Sequence, residues 1–111
     1  MTTQEVSAMI ASIGLPYAYY QFPEDTEQAP PVLCFYLKND ENFYADDTIL
    51  TRAEKLIVEL YTPVKDFALE ARIEAALTAH GLAWSREEKY LPPEKLIVEV
   101  YSMIVPLTKE E

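Results

Sequence analysis

The chain opens on a helical pattern. Thr2 stands at an N-cap position with Glu5 three residues later, so each side chain can satisfy a free backbone N–H of the other, as in a capping box. Val6, Met9, Ile10 and Ile13 then recur at spacings of three and four, which gives one apolar face. Gly14 can take the left-handed conformation that ends a helix, and Pro16 blocks its continuation. The spacing predicts a helix over 3–13. Beyond it, Tyr17 to Phe22 is aromatic and reads as a strand. Val32 to Leu37 is apolar throughout and reads as a second, central one. Between them, residues 23–31 form a loop carrying Pro23, Pro30 and Pro31 with the acids Glu24, Asp25 and Glu27. A polar stretch over 38–42 leads to a short strand, Phe43 to Ala45, and a tight turn at Asp46-Asp47, where Asp tolerates turn conformations.

A long strand is expected from Thr48 to Thr62, with Leu56, Val58 and Leu60 on one face and Ile57, Glu59 and Tyr61 on the other. Pro63 ends it. Asp66 can cap a second helix running to Ala79, with Leu69, Ile73, Ala76 and Leu77 as its buried stripe and Gly81 closing it. Ala83 to Tyr90 and Lys95 to Val105 form a last pair of strands joined around Pro92-Pro93, and 106–111 is expected to fray. The order α-β-β-β-β-α-β-β predicts an α+β fold: a mostly antiparallel sheet with two helices packed on one face.

Within this pattern one segment echoes another. Residues 54–62, EKLIVELYT, return as EKLIVEVYS at 94–102. Two copies are too few for a repeat architecture, so the reading is of two strands in one sheet. Each would place Leu, Val and Leu or Val on the core face, and Glu and Tyr on the other. That half-polar face is either wet or covered by a neighbouring subunit.

Composition adds limits to this picture. The 111 residues suit one compact domain over 1–111, and half are hydrophobic, enough for a core without staples. The formal charge is −10, from 19 acidic against 9 basic residues. That sign opposes nonspecific binding to phosphate backbones and docking on anionic lipid. It suits a soluble surface, a DNA mimic, or a ring through which DNA slides. No apolar run is long enough for a membrane helix, no signal peptide is apparent, and the default compartment is the cytoplasm.

Candidate chemistry is sparse. Cys34 is the lone cysteine and lies inside an apolar run, where it acts as a small core hydrophobe. His80 is the lone histidine and falls at a helix C-terminus, where it suits the dipole. One His and one Cys do not make an ordinary zinc site. Glu24, Asp25 and Glu27, or Asp46 and Asp47, could gather calcium weakly, but neither has EF-hand spacing, and a solvated acidic loop is the commoner role. The two glycines, Gly14 and Gly81, leave no phosphate-cradling loop. No enzyme, cofactor or metal is expected. The aromatics say more: Tyr17, Tyr19, Tyr20, Tyr61, Trp84, Tyr90 and Tyr101 cannot all fill a core on alternating strands. Tyr and Trp favour interfaces, so subunit contacts are expected among them.

A resemblance to one family covers nearly the whole chain. At the N-terminus the residues concerned are Gly14-Leu15-Pro16-Tyr17-Ala18-Tyr19, Phe22 and Pro30-Pro31. In the middle they are Asn42-Phe43-Tyr44-Ala45-Asp46, then Glu59-Leu60-Tyr61-Thr62, Lys65-Asp66 and Glu70. Towards the end they are Leu77, Gly81, Glu88, Tyr90, Glu94 and Tyr101. In these the chain resembles the small tail-terminator, or tail-completion, proteins of long-tailed phages and prophages of Gram-positive bacteria. Phe67 departs from the pattern, which has Pro after the capping Asp.

The resemblance implies a structural virion protein that forms a ring, usually a hexamer, at the head-proximal end of the tail tube. Such a ring ends tube growth and offers the head–tail joining surface. The implied partners are further copies of the chain, the tail tube protein and a head–tail connector or stopper protein. DNA passes through without sequence-specific binding, and no membrane or cofactor is involved. The implied location is the host cytoplasm during assembly and then the tail or neck of the virion. Expected interface or lumen residues are Glu24, Asp25, Glu27, Asp46, Asp47, Tyr61, Trp84 and Tyr101. The competing readings are a small acidic inhibitor or DNA mimic and, more remotely, an enzyme built on a carboxylate pair.

Overall fold

The computed structural model of the chain describes residues 1–22, 28–38 and 51–108. Its elements are α1 (Thr3–Ala11), β1 (Tyr17–Tyr19), β2 (Val32–Lys38), β3 (Thr51–Thr62), α2 (Phe67–Ala79), β4 (Ser85–Leu91) and β5 (Leu96–Thr108). The fold is α+β. The strands form one sheet in the order β1-β2-β3-β5-β4; β1 runs parallel to β2 and every other pair is antiparallel. The strand expected at 43–45 and the turn at Asp46-Asp47 lie outside the described residues.

Both helices form where capping chemistry places them. Thr2 accepts from the Glu5 N–H at 3.1 Å, and the Glu5 carboxylate accepts from the Thr2 N–H at 2.7 Å. Asp66 accepts from the Leu69 N–H at 3.0 Å and starts α2. At its other end α2 closes in a Schellman motif: Gly81, at φ +75°, donates to Thr78 O, and Leu82 donates to Leu77 O. His80 sits at this C-terminus with Nδ1 2.9 Å from Ala76 O, as its position predicts. The two helices are also linked directly, because the Arg72 guanidinium of α2 donates to Ile13 O just beyond α1.

The core lies between the helices and one face of the sheet. Val6, Met9 and Ile10 of α1 and Leu69, Ile73 and Leu77 of α2 pack in one cluster with Leu33, Phe35, Leu56, Val58 and Leu60. From β5 the same cluster takes Tyr101, Met103, Val105 and Leu107. Burying one such Leu, Ile or Val contributes roughly 1.5–3 kcal/mol.

The phase of β5 corrects the expectation. In β3, Leu56, Val58 and Leu60 face the helices as expected. In β5 it is Glu99 and Tyr101 that do so, while Leu96, Val98 and Val100 take the other face. The register pairs Val58 with Tyr101 and Leu60 with Glu99, and directly paired residues share a face. The two echoing segments therefore lie side by side with opposite faces inward. The physical reason is the rest of β5. Tyr101, Met103, Val105 and Leu107 alternate into the core, and with a period of two, that longer apolar series fixes the phase of the whole strand.

The far face of the sheet is apolar too. Val32, Cys34, Ile57 and Val98 are buried there, and Tyr36, Tyr61 and Val100 are half-buried. β5 also continues to Thr108, so the fraying expected from 106 onward does not begin there. The Met1 ammonium donates to Pro106 O, and the Thr108 N–H donates to Met1 O, each at 2.8 Å.

Candidate functional site

The phase of β5 carries Glu99 under α2, and a charged network forms around it. Lys65, in the link before α2, places its ammonium 2.9 Å from Glu70 of α2, 2.5 Å from Glu88 of β4 and 3.2 Å from Glu99 of β5. Arg86 of β4 donates to Glu70 at 2.8 Å and to Glu74 at 3.0 Å. Tyr101 closes the network by donating to Glu74 at 2.9 Å. Glu70 and Glu99 are both buried, at 3% and 0% exposure. Their carboxylates lack bulk water, and the two cations take its place.

The balance of this network is uneven. Lys65 and Arg86 supply two positive charges to four carboxylates, those of Glu70, Glu74, Glu88 and Glu99. Hydrogen bonds to these acids, Glu88 foremost, raise the pKa of the Lys65 ammonium and keep it charged. Burial raises the pKa of the Tyr101 phenol, and its bond to Glu74 adds to the effect. Burial likewise pushes the Glu99 carboxyl up to about 7, with the neighbouring Glu88 as the next cause. Glu88 itself is held below the ordinary carboxylate value, first by the facing Glu99 carboxyl and then by Lys65.

Oxygens of Glu70, Glu88 and Glu99 lie within 4.8 Å of one another, a spacing that a divalent ion could use. The Lys65 ammonium touches all three residues, so the cluster already holds a cation of its own. A groove of about 510 Å³ between α1 and the β1–β2 edge is lined by Thr3, Gln4, Val6, Ser7, Tyr19, Phe35 and Leu37, with no acid or histidine among them.

The residues expected at an interface or lumen separate into three groups. Glu24, Asp25, Glu27, Asp46 and Asp47 lie outside the described residues. Tyr61 is half-buried on the far face and donates to Glu59 at 2.8 Å. Trp84 and Tyr101 belong to the helix side instead. Trp84 meets the Tyr101 ring edge-on at 5.6 Å and donates from Nε1 to Thr78 at 3.1 Å. Tyr101 is fully buried. It is a core residue here and offers no surface to a neighbour, a correction that follows from the reversed phase of β5. Cys34 is buried as expected, and burial raises its thiol pKa, which disfavours a nucleophilic thiolate.

Other expected aromatics do reach the surface. Tyr17 and Tyr19 of β1, an outer strand of the sheet, and Tyr20 just after it are exposed, and Tyr90 is exposed on β4, the other outer strand. The β1 group is ordered by its own contacts. Tyr19 meets Phe35 edge-on at 5.2 Å, Tyr17 lies 6.3 Å from the same ring, and Tyr20 stacks on Tyr36 at 4.8 Å.

Sequence reasoning did not find the charged network. Its members come from four places in the chain, and the inward turn of Glu99 follows only once Tyr101 to Leu107 set the phase of β5. No family model matches the chain, and a search of curated proteins finds no significant match.

Proposed function

We propose that the chain is a ring-forming structural component of a phage tail, acting at the head-proximal end of the tube to stop its growth and to offer a surface for head joining. The observation that carries this reading is the ordered series of shared residues, from Gly14-Leu15-Pro16-Tyr17 to Tyr101, over nearly the whole chain. The surfaces are compatible with it. A ring closes through heterologous contacts, in which two different patches meet. The exposed tyrosines at β1 and the exposed β4 strand lie at opposite edges of the sheet, an arrangement that supports such a contact. The charge of −10 suits a channel that DNA crosses without adhering. Among the described residues, no helix is long and apolar enough to cross a membrane. A DNA mimic would need its acids presented freely, whereas Glu70, Glu74, Glu88 and Glu99 are turned into ion pairs with Lys65 and Arg86.

Electron microscopy of particles assembled without this protein tests the reading. Overlong tails lacking heads are the expected result. Normal joined particles would overturn it.

A further inference from the structure

Glu88 and Glu99 face each other directly across the β4–β5 ladder. Like charges in that position destabilise a strand pair. Glu99 is fully buried, and its two oxygens are treated unequally. Oε2 accepts from Lys65 at 3.2 Å. Oε1 has no hydrogen-bond partner among the described residues, and Arg86 Nε, 3.6 Å away, meets it as an ion pair without a hydrogen bond. A buried, ionised oxygen that accepts no hydrogen bond and lies opposite a second carboxylate is an unfavourable arrangement, which the Arg86 charge at 3.6 Å offsets only in part. One proton resolves it: a protonated Glu99 can donate to Glu88 while Oε2 keeps its bond to Lys65.

We propose that Glu88 and Glu99 share one proton, and that this proton fastens the edge strand β4 to β5, making β4 a pH-sensitive edge of the sheet. The charged and titratable groups that face the pair are Lys65 before α2, Glu70 and Glu74 on α2, Arg86 on β4 and Tyr101 on β5. Lys65 divides its charge among three carboxylates, and Arg86 directs its nearest contacts to Glu70 and Glu74. Lys65 reaches both members of the pair but shares its one charge with Glu70 as well, so two cations face four carboxylates and the proton removes a charge that the network leaves uncovered. The upward displacement of the Glu99 carboxyl, caused first by burial and then by Glu88, agrees with this geometry. In coupled groups of this kind the proton belongs to the pair. The inference goes beyond the ring reading and does not depend on it.

The sign follows from linkage. Glu99 binds its proton more tightly folded than unfolded. Its contribution to stability is complete below the ordinary value of 4.5 and is lost as pH rises through about 7. The test is thermal unfolding of the full chain and of the Glu99→Gln variant, whose amide mimics the protonated acid, at about pH 6 and about pH 8. The wild-type melting temperature should fall between these two conditions by more than that of Glu99→Gln. An equal fall in both proteins would overturn the proposal. Carboxyl NMR titration of the wild-type protein, and of a variant with the half-exposed Glu88 changed to Gln, covers the case in which Glu99→Gln does not fold. Glu99 should titrate well above ordinary carboxylates, and Glu88→Gln should lower its midpoint. Amides of β4 should lose roughly tenfold or more of their exchange protection across the same interval, beyond the intrinsic rate change. A Glu99 midpoint at the ordinary value, or β4 protection unchanged by pH, would overturn the proposal.

Discussion

Tyr101 stands in β5 with its ring in the core and its hydroxyl on Glu74. The two parts of this side chain make different contributions, which mutation can separate. Tyr101→Phe removes one hydrogen bond to a carboxylate that Arg86 still holds at 3.0 Å, so the expected loss is about 1 kcal/mol in chemical denaturation. Tyr101→Ala removes the ring from beneath Trp84 and should cost about 3–5 kcal/mol. An interface tyrosine would behave otherwise, since its truncation would weaken assembly and leave the isolated subunit nearly unchanged. Monomer stability unaffected by Tyr101→Ala would contradict the core placement. The same residue shows how local sequence can mislead. Tyr61 and Tyr101 occupy equivalent places in the two echoing segments, yet one is half-buried on the far face and the other is buried beneath the helices.

Among the elements, α2 depends on a single capping contact at its start, the Asp66 carboxylate accepting from Leu69 N–H at 3.0 Å. Asp66→Ala should cost about 1 kcal/mol, read by denaturant unfolding, and no loss would mean that the cap does not support the helix. Because α2 carries Glu70 and Glu74, this cap also positions the acids that face Lys65 and Arg86. The cap was legible in the sequence, as were both helices, Gly81 and the phase of β3, because each rests on spacing over a few residues. The phase of β5 was legible only in part. Leu96, Val98 and Val100 point to one answer, and Tyr101, Met103, Val105 and Leu107 point to the opposite one. The longer series prevails because a strand cannot change face without a bulge, and the β3–β5 ladder runs unbroken from Thr51↔Thr108 to Thr62↔Ile97. The charged network was not legible, since pairing Lys65 with Glu88 and Glu99 needs the tertiary contact between the α2 entry and the β4–β5 edge.

For the whole molecule, charge and surface oppose each other in any assembly of copies. Each chain carries −10, so subunits approaching one another in a ring repel at low ionic strength. The exposed Tyr17, Tyr19 and Tyr20 offer apolar area that association would bury. Salt screens exposed charges over about 10 Å at about 0.1 M and leaves apolar burial intact or strengthened. If the chain assembles as proposed, its mass in sedimentation should rise with salt and with protein concentration towards a closed ring. Tyr17→Ser with Tyr20→Ser should suppress that rise. Tyr17 is 43% and Tyr20 64% exposed, so each substitution should change subunit stability by no more than about 1 kcal/mol. The two measurements separate a docking role from a folding role, because a folding role would lower stability along with mass. A chain that stays monomeric at every salt and protein concentration would count against the ring. A ring that forms equally well without the tyrosines would move the contact elsewhere on the sheet.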